Sequence, residues 1–238
     1  MILVHTNPYK GWVQSPAAMG TQFRIDIYLD TVCPWCYVGK RRFELALAAR
    51  PHYEPFINFR PFELNPDLPW DGVERAAHVA AKVGDPAQIA DAQAALVRHG
   101  EAIGLQFRFD LIHRLPNTRR SHLLIAHGGR NNLAAEVTER VMQAYFEEGR
   151  DIGDTEELVR LGVEAGLSER ETRAAVVLRE GQDGIVAAER HATVLGITGV
   201  PAFIFDRQYS VAGAQEVEAF VRVIDQVVEL AAGRELAS

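Results

Sequence analysis

Cysteine is almost absent from this chain, which has two cysteines among 238 residues, both in one short segment. No cysteine therefore remains for a structural disulfide elsewhere, which suits a reducing compartment. The chain also lacks a block of Lys or Arg residues, and its net charge is −7, so the electrostatic signature of nucleic-acid binding is missing. No apolar run approaches the length of a membrane span. We expect no nucleic-acid or membrane partner and a cytoplasmic location.

Residues 1–20 show no apolar periodicity, and they lack the charged and continuous apolar regions of a secretory signal. We predict that they form a flexible N-terminal extension. The rest of the chain has the composition of an ordinary globular protein, with 47% hydrophobic residues overall. Its length predicts one large domain, or one domain with a second inserted into it.

The two cysteines enclose the segment Cys33-Pro34-Trp35-Cys36. The residues before it, 23–29, alternate in polarity and are rich in β-formers, which predicts a strand. The residues after it, 39–50, carry apolar side chains at helical spacing. The segment therefore lies where a strand turns into a helix.

This placement predicts the chemistry of the cysteines. Pro34 fits the first helical position, so Cys33 becomes the N-cap and its sulfur faces the free N–H groups of the first turn, that of Cys36 among them. Those groups and the helix dipole favour a thiolate. We expect an exposed, nucleophilic Cys33 and a more buried Cys36 that resolves a mixed disulfide.

Two other interpretations of the cysteines are weighed against this one. They could be buried structural thiols, or half of a zinc site completed by His122 and His127. Those two histidines are five residues apart, however, and diverge by roughly 140° around a helix. We therefore expect redox chemistry and no metal, and we place both histidines on a helix face.

Further strands and helices follow along the chain. Residues 56–64 predict a second strand, with Pro61 at an edge position. Residues 71–195 carry helical patterns and little strand signal, which predicts an inserted helical block. Near the end, residues 202–205 and 208–212 predict a hairpin, and an amphipathic helix follows from Val217. The predicted helices of the block are 73–83, 86–104, 118–130, 134–149, 155–165, 168–178 and 182–195.

The segment Asp30–Lys40 resembles the DsbA family, in its FrnE-like branch. That branch has segments similar to residues 60–66, 116–118, 148–152 and 199–203 of this chain. The resemblance implies an α/β, thioredoxin-like fold with a large all-helical insertion. The thioredoxin-like domain would comprise residues 21–70 and 196–238, and the insertion residues 71–195.

The same resemblance implies a thiol–disulfide oxidoreductase in which Cys33 and Cys36 are catalytic. It also implies a cis Val200–Pro201 peptide bond that faces the sulfurs, where Val200 would meet an extended substrate. The substrate would be a thiol or disulfide, in a protein or a small molecule. No cofactor is expected to be bound permanently, glutathione is a candidate redox partner, and a dimer through the helical block is one arrangement left open. The implied substrate-binding residues are Pro34, Trp35, Asn117, Thr118, Val200 and Pro201.

Several questions stay open at this point. Related glutathione-dependent isomerases and kappa-class transferases share positions like Asn117 and Thr118, which are also good helix N-caps. A partner-binding module with vestigial cysteines is a third interpretation. Asp26 and Asp30 are candidates to accept the proton of the resolving thiol. Residues 40–42 carry three positive charges that we assign to a solvated helix face.

Overall fold

The computed structural model of the protein describes residues 23–179 and 181–235, so the predicted extension over residues 1–20 lies outside them. The strands are β1 (Arg24–Leu29), β2 (Phe56–Pro61), β3 (Val73–Glu74), β4 (Arg114–Leu115), β5 (Ala202–Phe205) and β6 (Tyr209–Ala212). The helices are α1 (Pro34–Ala48), α2 (Arg75–Val83), α3 (Pro86–Glu101), α4 (Arg119–Arg130), α5 (Ala134–Phe146), α6 (Thr155–Glu164), α7 (Glu169–Val177), α8 (Gln182–Val194) and α9 (Val217–Glu235).

The main sheet has the strand order β2-β1-β5-β6. Strand β1 pairs with β2 in parallel, and the long connection through α1 makes this a βαβ unit. Strand β5 pairs antiparallel with both β1 and β6. Pro61 ends the edge strand β2, where its missing N–H costs no ladder bond.

Aromatic packing fixes α1 and α9 on one face of this sheet. The ring of Phe43 in α1 lies 5.4 Å from that of Phe203 in β5 and 5.5 Å from that of Phe220 in α9. All three side chains are buried. This packing positions the start of α1, and with it the cysteine segment, at the end of β1.

The segment between β2 and β5 is largely helical, as the periodicity predicted, but it is not all helical. Strands β3 and β4 form a separate two-stranded antiparallel sheet within it. Each has only two residues, which is too short to show an alternating pattern, and the partners are far apart in the chain. The loop from Leu105 to Pro116 contributes buried side chains to the core, among them Phe107 and Ile112.

The helix boundaries follow local signals closely. The Asp154 side chain accepts a hydrogen bond from the Glu157 N–H at 2.7 Å and so caps α6. Gly104 and Gly166, which follow α3 and α6, have φ of 82° and 101°. These left-handed conformations favour glycine and terminate the helices.

The prediction of a solvated face at residues 40–42 was wrong. Lys40 is 1% exposed and Arg42 4% exposed, because acidic and backbone groups of other elements meet them. The Lys40 ammonium lies 2.5 Å from a Glu139 carboxylate oxygen of α5 and also contacts Glu44. Arg42 donates to the Ala214 carbonyl at 2.8 Å. We call Tyr37, Lys40, Arg41, Glu44 and Glu139 the ionic cluster.

Within residues 23–179 and 181–235, none of the helices combines the length and apolarity needed to cross a bilayer.

Candidate functional site

The cysteine segment lies at the junction of β1 and α1, as the sequence predicted. Strand β1 ends at Leu29, and Cys33 is the N-cap of α1 with extended backbone angles of φ −89° and ψ 111°. Pro34 occupies the first turn of the helix. A proline there loses no hydrogen bond and presets the helical φ, so it fixes the direction in which α1 leaves the sheet.

The two thiols are free and lie next to each other. The cysteines are 3.1 Å apart, and neither is part of a disulfide. The Cys33 thiol donates to the Val200 carbonyl oxygen, with a sulfur–oxygen distance of 3.8 Å. Cys36 is completely buried. The arrangement therefore brings together two sulfurs and the carbonyl of residue 200, which is far away in sequence.

Two details of the predicted cysteine geometry were wrong. Cys33 was expected to be exposed, but only 6% of its surface is accessible, because the Val200 segment covers its sulfur. Its side chain also accepts no capping hydrogen bond from the first turn. The N–H groups of Cys36 and Tyr37 instead donate to the Cys33 carbonyl, at 3.0 and 3.3 Å, so they are not free to face the sulfur.

Burial distinguishes the two thiols electrostatically. Burial raises the pKa of Cys36 well above its usual value, and the hydrogen bond and charge of Cys33 raise it further. A hydrogen bond with the Asp30 backbone lowers the pKa of Cys36, while the Asp30 charge raises it. Cys36 is thus a thiol that keeps its proton at neutral pH until another group removes it.

The Val200–Pro201 peptide bond is cis, and Pro201 is buried against α1. A Cβ atom added at Gly39 would lie 2.8 Å from Pro201 Cγ, so only glycine allows α1 to approach the proline this closely. The Pro201 carbonyl accepts the Gly213 N–H at 2.8 Å. The proline is therefore held between α1 and the end of β6, with the preceding carbonyl aimed at Cys33.

Trp35 is the most accessible residue of the cysteine segment, at 39% exposure. Its ring lies 5.3 Å from the ring of His99 in α3. The Arg42 guanidinium lies 3.1 Å from His99 Nδ1. Since arginine can only donate, Nδ1 accepts and the ring proton is on Nε2. His99 was not identified from the sequence, because nothing local links it to Trp35.

Asn117 and Thr118 are buried and bond to the chain itself. The Asn117 amide donates to the Leu68 carbonyl at 2.9 Å, and its oxygen accepts the Arg119 N–H at 3.1 Å. Thr118 is the N-cap residue of α4, and its carbonyl accepts the Ser121 hydroxyl at 2.7 Å. Their polar atoms therefore shape the loop before β3 and the start of α4, and among the described residues their hydrogen bonds do not involve the sulfurs.

A second polar group of residues adjoins the cysteine segment through Asp30, whose carbonyl accepts the Cys33 N–H at 3.1 Å. Asp30 Oδ1 lies 3.4 Å from His122 Nε2 of α4, and Asp30 Oδ2 accepts the Leu64 N–H at 2.7 Å. The Thr31 and Ser121 hydroxyls lie 2.7 Å apart. We call Asp30, Thr31, Ser121 and His122 the Asp30–His122 cluster. His122 is 3% exposed, so the helix face on which it was predicted is a buried face of α4, which packs against β2.

The other candidate acid, Asp26, has different partners. Its carboxylate lies 2.9 Å from Arg60 and 3.1 Å from Arg24. Burial opposes its charge, but the two guanidinium groups lower the pKa of Asp26 below its usual value. It is therefore held as a paired carboxylate.

Among the residues that the structure describes, no three His, Cys, Asp or Glu side chains are grouped so that they could hold a metal ion. The two histidines of α4 have different partners: His122 Nε2 lies 3.4 Å from Asp30 Oδ1, and His127 Nδ1 lies 3.3 Å from the Arg130 guanidinium.

Comparison with known proteins agrees with this geometry. The family of DSBA-like thioredoxin domains matches residues 24–225. The uncharacterized protein YwbO of Bacillus subtilis (strain 168) is 30% identical over 201 residues, which cover 84% of this chain and 94% of that protein.

Two solved structures are also similar. The probable DsbA oxidoreductase SCO1869 from Streptomyces coelicolor has a TM-score of 0.79 at 36% identity, covering 86% of this chain and 89% of that one. The cytosolic disulfide reductase DsbM from Pseudomonas aeruginosa, in its structure with GSH, has a TM-score of 0.59 at 16% identity. The match covers 89% of this chain and 98% of the DsbM chain, and it shows a similarity of fold alone. The chain belongs to the family of DSBA-like thioredoxin domains, whose members are oxidoreductases or isomerases.

Proposed function

We propose that this protein is a thiol–disulfide oxidoreductase that uses Cys33 and Cys36 as a redox-active pair. The Cys33 thiolate attacks a substrate disulfide, a Cys33–substrate disulfide forms, and the other half of the substrate leaves as a thiolate. Cys36 then gives up its proton and attacks the Cys33 sulfur. The substrate leaves as its second thiolate, and two electrons have passed from the pair to the substrate.

The observation that carries this proposal is the contact between two free thiols at the start of α1. Their separation of 3.1 Å needs only a small approach to form a disulfide. Cys36 is fully buried and Cys33 is not, so a substrate would meet Cys33 first. This order assigns the nucleophile to Cys33 and the resolving role to Cys36.

The surroundings of Cys33 support a groove for an extended substrate. The Val200 carbonyl already accepts a bond from the Cys33 thiol, and a substrate chain in the mixed disulfide would take over that backbone position in β-fashion. Pro201 fixes the direction of the carbonyl. Pro34 and the exposed Trp35 form the opposite side, with His99 behind the indole ring. Asn117 and Thr118 would act on this groove by holding its neighbouring loop.

The helical segment is proposed to form a domain over residues 71–195, inserted between residues 21–70 and 196–238. Its helix α3 reaches Trp35 through His99, so it would limit which substrates enter. Glutathione is the proposed small-molecule redox partner, supported by the similar fold of DsbM, whose structure contains GSH. A cytoplasmic location is supported by the chain having no cysteine outside the pair.

The proposal is tested by mixing the reduced protein with an excess of an aromatic disulfide whose thiolate product is coloured. The wild-type protein should release a first thiolate as Cys33 attacks and a second as Cys36 resolves. Cys36→Ser should release only the first, and Cys33→Ser should lose the fast first release. The matched serine variants keep the size of each side chain and remove only the sulfur.

Other results would contradict the proposal in distinguishable ways. If Cys36→Ser retained full turnover with glutathione as co-substrate, an isomerase or transferase that needs only Cys33 would be indicated. If the wild-type protein released no thiolate faster than an unfolded control peptide containing the same four residues, the cysteines would be vestigial.

A further inference from the structure

The resolving step poses a problem that the two cysteines cannot solve. Cys36 must lose its proton to attack, yet it is fully buried, and burial together with Cys33 raises the pKa of Cys36. Water from bulk solvent does not reach it. A group inside the protein must therefore take the proton, and it must lie close to the start of α1.

Few ionisable groups are in a position to do so. Those that act on Cys36 are Cys33 and Asp30, and Cys33 has no free thiolate once it is bonded to the substrate. Asp30 adjoins the pair through its backbone, since its carbonyl accepts the Cys33 N–H at 3.1 Å. Its side chain is 0% exposed. The Asp30 carboxylate, buried and three positions before Cys33, is therefore the candidate acceptor of the proton.

The atoms around this carboxylate leave a place for one proton. Asp30 Oδ1 and His122 Nε2 face each other at 3.4 Å, with side chains 0% and 2% exposed. Neither atom has a hydrogen-bond partner among the described residues. A carboxylate oxygen accepts hydrogen bonds, and an imidazole nitrogen donates when it carries a hydrogen and accepts when it does not. Buried acceptors without donors are rare in folded proteins, and a single proton between these two would satisfy both.

We propose that His122 is a positioning residue of the resolving step, which holds the Asp30 carboxylate and shares with it the proton released by Cys36. This inference rests on the proposed function and adds a residue of the helical segment to it. As the Cys36–Cys33 bond forms and the Cys33–substrate bond breaks, the electron pair leaves with the substrate thiolate. The proton of Cys36 passes to Asp30 and lies between Oδ1 and Nε2 as a charge-assisted hydrogen bond.

Neighbouring charges keep the pair in a defined environment. Glu63 acts on His122 electrostatically, and its Oε2 is bound by the Arg119 guanidinium at 2.5 Å. Arg60 lines the same small pocket as His122. Thr31 follows Asp30 in the chain and Ser121 precedes His122. The hydrogen bond of 2.7 Å between the Thr31 and Ser121 hydroxyls therefore helps to hold Asp30 opposite His122. The pair thus lies near two ion pairs, Glu63–Arg119 and Asp26–Arg60, and Glu189 also acts on Glu63.

The test is His122→Gln in the two-step thiolate release described above. Glutamine can place an amide N–H near Asp30 Oδ1, but it cannot bind a further proton at neutral pH. We expect the second release to slow at least about tenfold while the first keeps its rate, because general-base assistance is worth about 10²–10⁴-fold. The difference in the rate of the second release between the wild-type protein and His122→Gln should become smaller as pH rises. Hydroxide can then deprotonate Cys36 when the protein opens transiently around it.

His127→Gln is the matched control, because His127 is a buried histidine of the same helix that binds Arg130 instead. It should leave both releases unchanged. If His122→Gln slowed both releases equally, or slowed the second without any recovery at high pH, the role would be structural and the proposal overturned. An unchanged second release would also overturn it. Should the glutamine variant not fold, His122→Asn carries the same expectations.

Failure of this inference is distinguishable from failure of the proposed function. If the wild-type protein shows two thiolate releases and His122→Gln shows both at the same rates, the dithiol mechanism is supported and the role of His122 is refuted. If the wild-type protein shows no second release, the resolving role of Cys36 itself falls.

Discussion

Two polar clusters join the helical segment to the strand–helix unit that carries the cysteines, and they are paired to different extents. In the ionic cluster, Glu139 of α5 contacts Lys40 and Arg41, each at 2.5 Å. In the Asp30–His122 cluster, the closest approach of the two ionisable side chains is 3.4 Å. The side chains of Asp30 and His122 are 0% and 2% exposed, whereas those of Glu139 and Arg41 are 25% and 23% exposed.

The charges in the ionic cluster compensate each other. Burial disfavours the charged forms, but Glu139 and Glu44 raise the pKa of Lys40, and Lys40 and Arg41 lower the pKa of Glu139. Burial, and then Glu139, raise the pKa of Tyr37, so its hydroxyl remains a donor. A cluster whose groups hold each other in fixed charge states is suited to joining two parts of a protein.

The Asp30–His122 cluster combines a fixed part and an adjustable part. The Ser121 hydroxyl donates its only hydrogen to the Thr118 carbonyl, so Thr31 must donate to Ser121. The donors and acceptors of these two hydrogen bonds are therefore fixed. The neighbouring Asp30 Oδ1 and His122 Nε2 have no hydrogen bond, and a proton can enter between them. The ionic cluster thus has its charges fixed by mutual contacts, whereas the Asp30–His122 cluster keeps the adjustable contact that the proposed proton transfer requires.

The largest expected effect on stability comes from breaking the ionic cluster. Glu139→Gln leaves Lys40, which is 1% exposed, with Glu44 as its remaining carboxylate contact. Removing one partner of a buried ion pair typically costs about 3–5 kcal/mol, so we expect a loss of about 3 kcal/mol in the free energy of unfolding. Urea denaturation measures it.

Two observations check that this loss has the stated cause. Glu136→Gln, in the first turn of the same helix and with no ion pair among the described residues, should change stability by less than about 1 kcal/mol, because a first-turn carboxylate contributes about 0.3–1 kcal/mol. The ratio of the two thiolate release rates should be unchanged in Glu139→Gln. A selective slowing of the second release would remove the distinction between the two clusters.

The ionic cluster also predicts a dependence of stability on pH, with a smaller effect than the substitution of Glu139. The pKa of Glu139 is lowered in the folded state, so its contribution is complete above the unfolded value of about 4.3 and is lost as pH falls through the folded value. The stability difference between wild type and Glu139→Gln should therefore shrink below about pH 4. A difference that grew under acid conditions would show that Glu139 is not held as a carboxylate.

The sequence was sufficient for much of the fold because its signals there are local. Each predicted helix between residues 73 and 195 has a counterpart in the structure with ends shifted by at most three residues, and the two cysteines lie at the strand–helix junction where Pro34 placed them. The two-stranded sheet of β3 and β4 was missed because its pairing joins residues far apart in the chain.

The site was predicted less completely because its polar contacts are long-range. Lys40 was predicted to lie on a solvated helix face, because its partner Glu139 is 99 residues away in the sequence and no local pattern links the two. His122 looked like a helix-face residue for the same reason. Only the pairing of Asp30 with α4 reveals its role, and neither residue carries a local signal for it. The covering of Cys33 likewise depends on Val200, 167 residues away.

The smallest expected effect separates the fixed part of the Asp30–His122 cluster from its adjustable part. Thr31→Val keeps the shape of a fully buried side chain and removes the hydroxyl that donates to Ser121, so we expect a loss of about 1 kcal/mol in the free energy of unfolding. Thr172→Val is the matched control. Its hydroxyl is also buried but has no hydrogen-bond partner among the described residues, so its removal should be neutral or stabilising. Equal losses in both variants would mean that burial of the side chain, and not the hydrogen bond to α4, sets the contribution of Thr31.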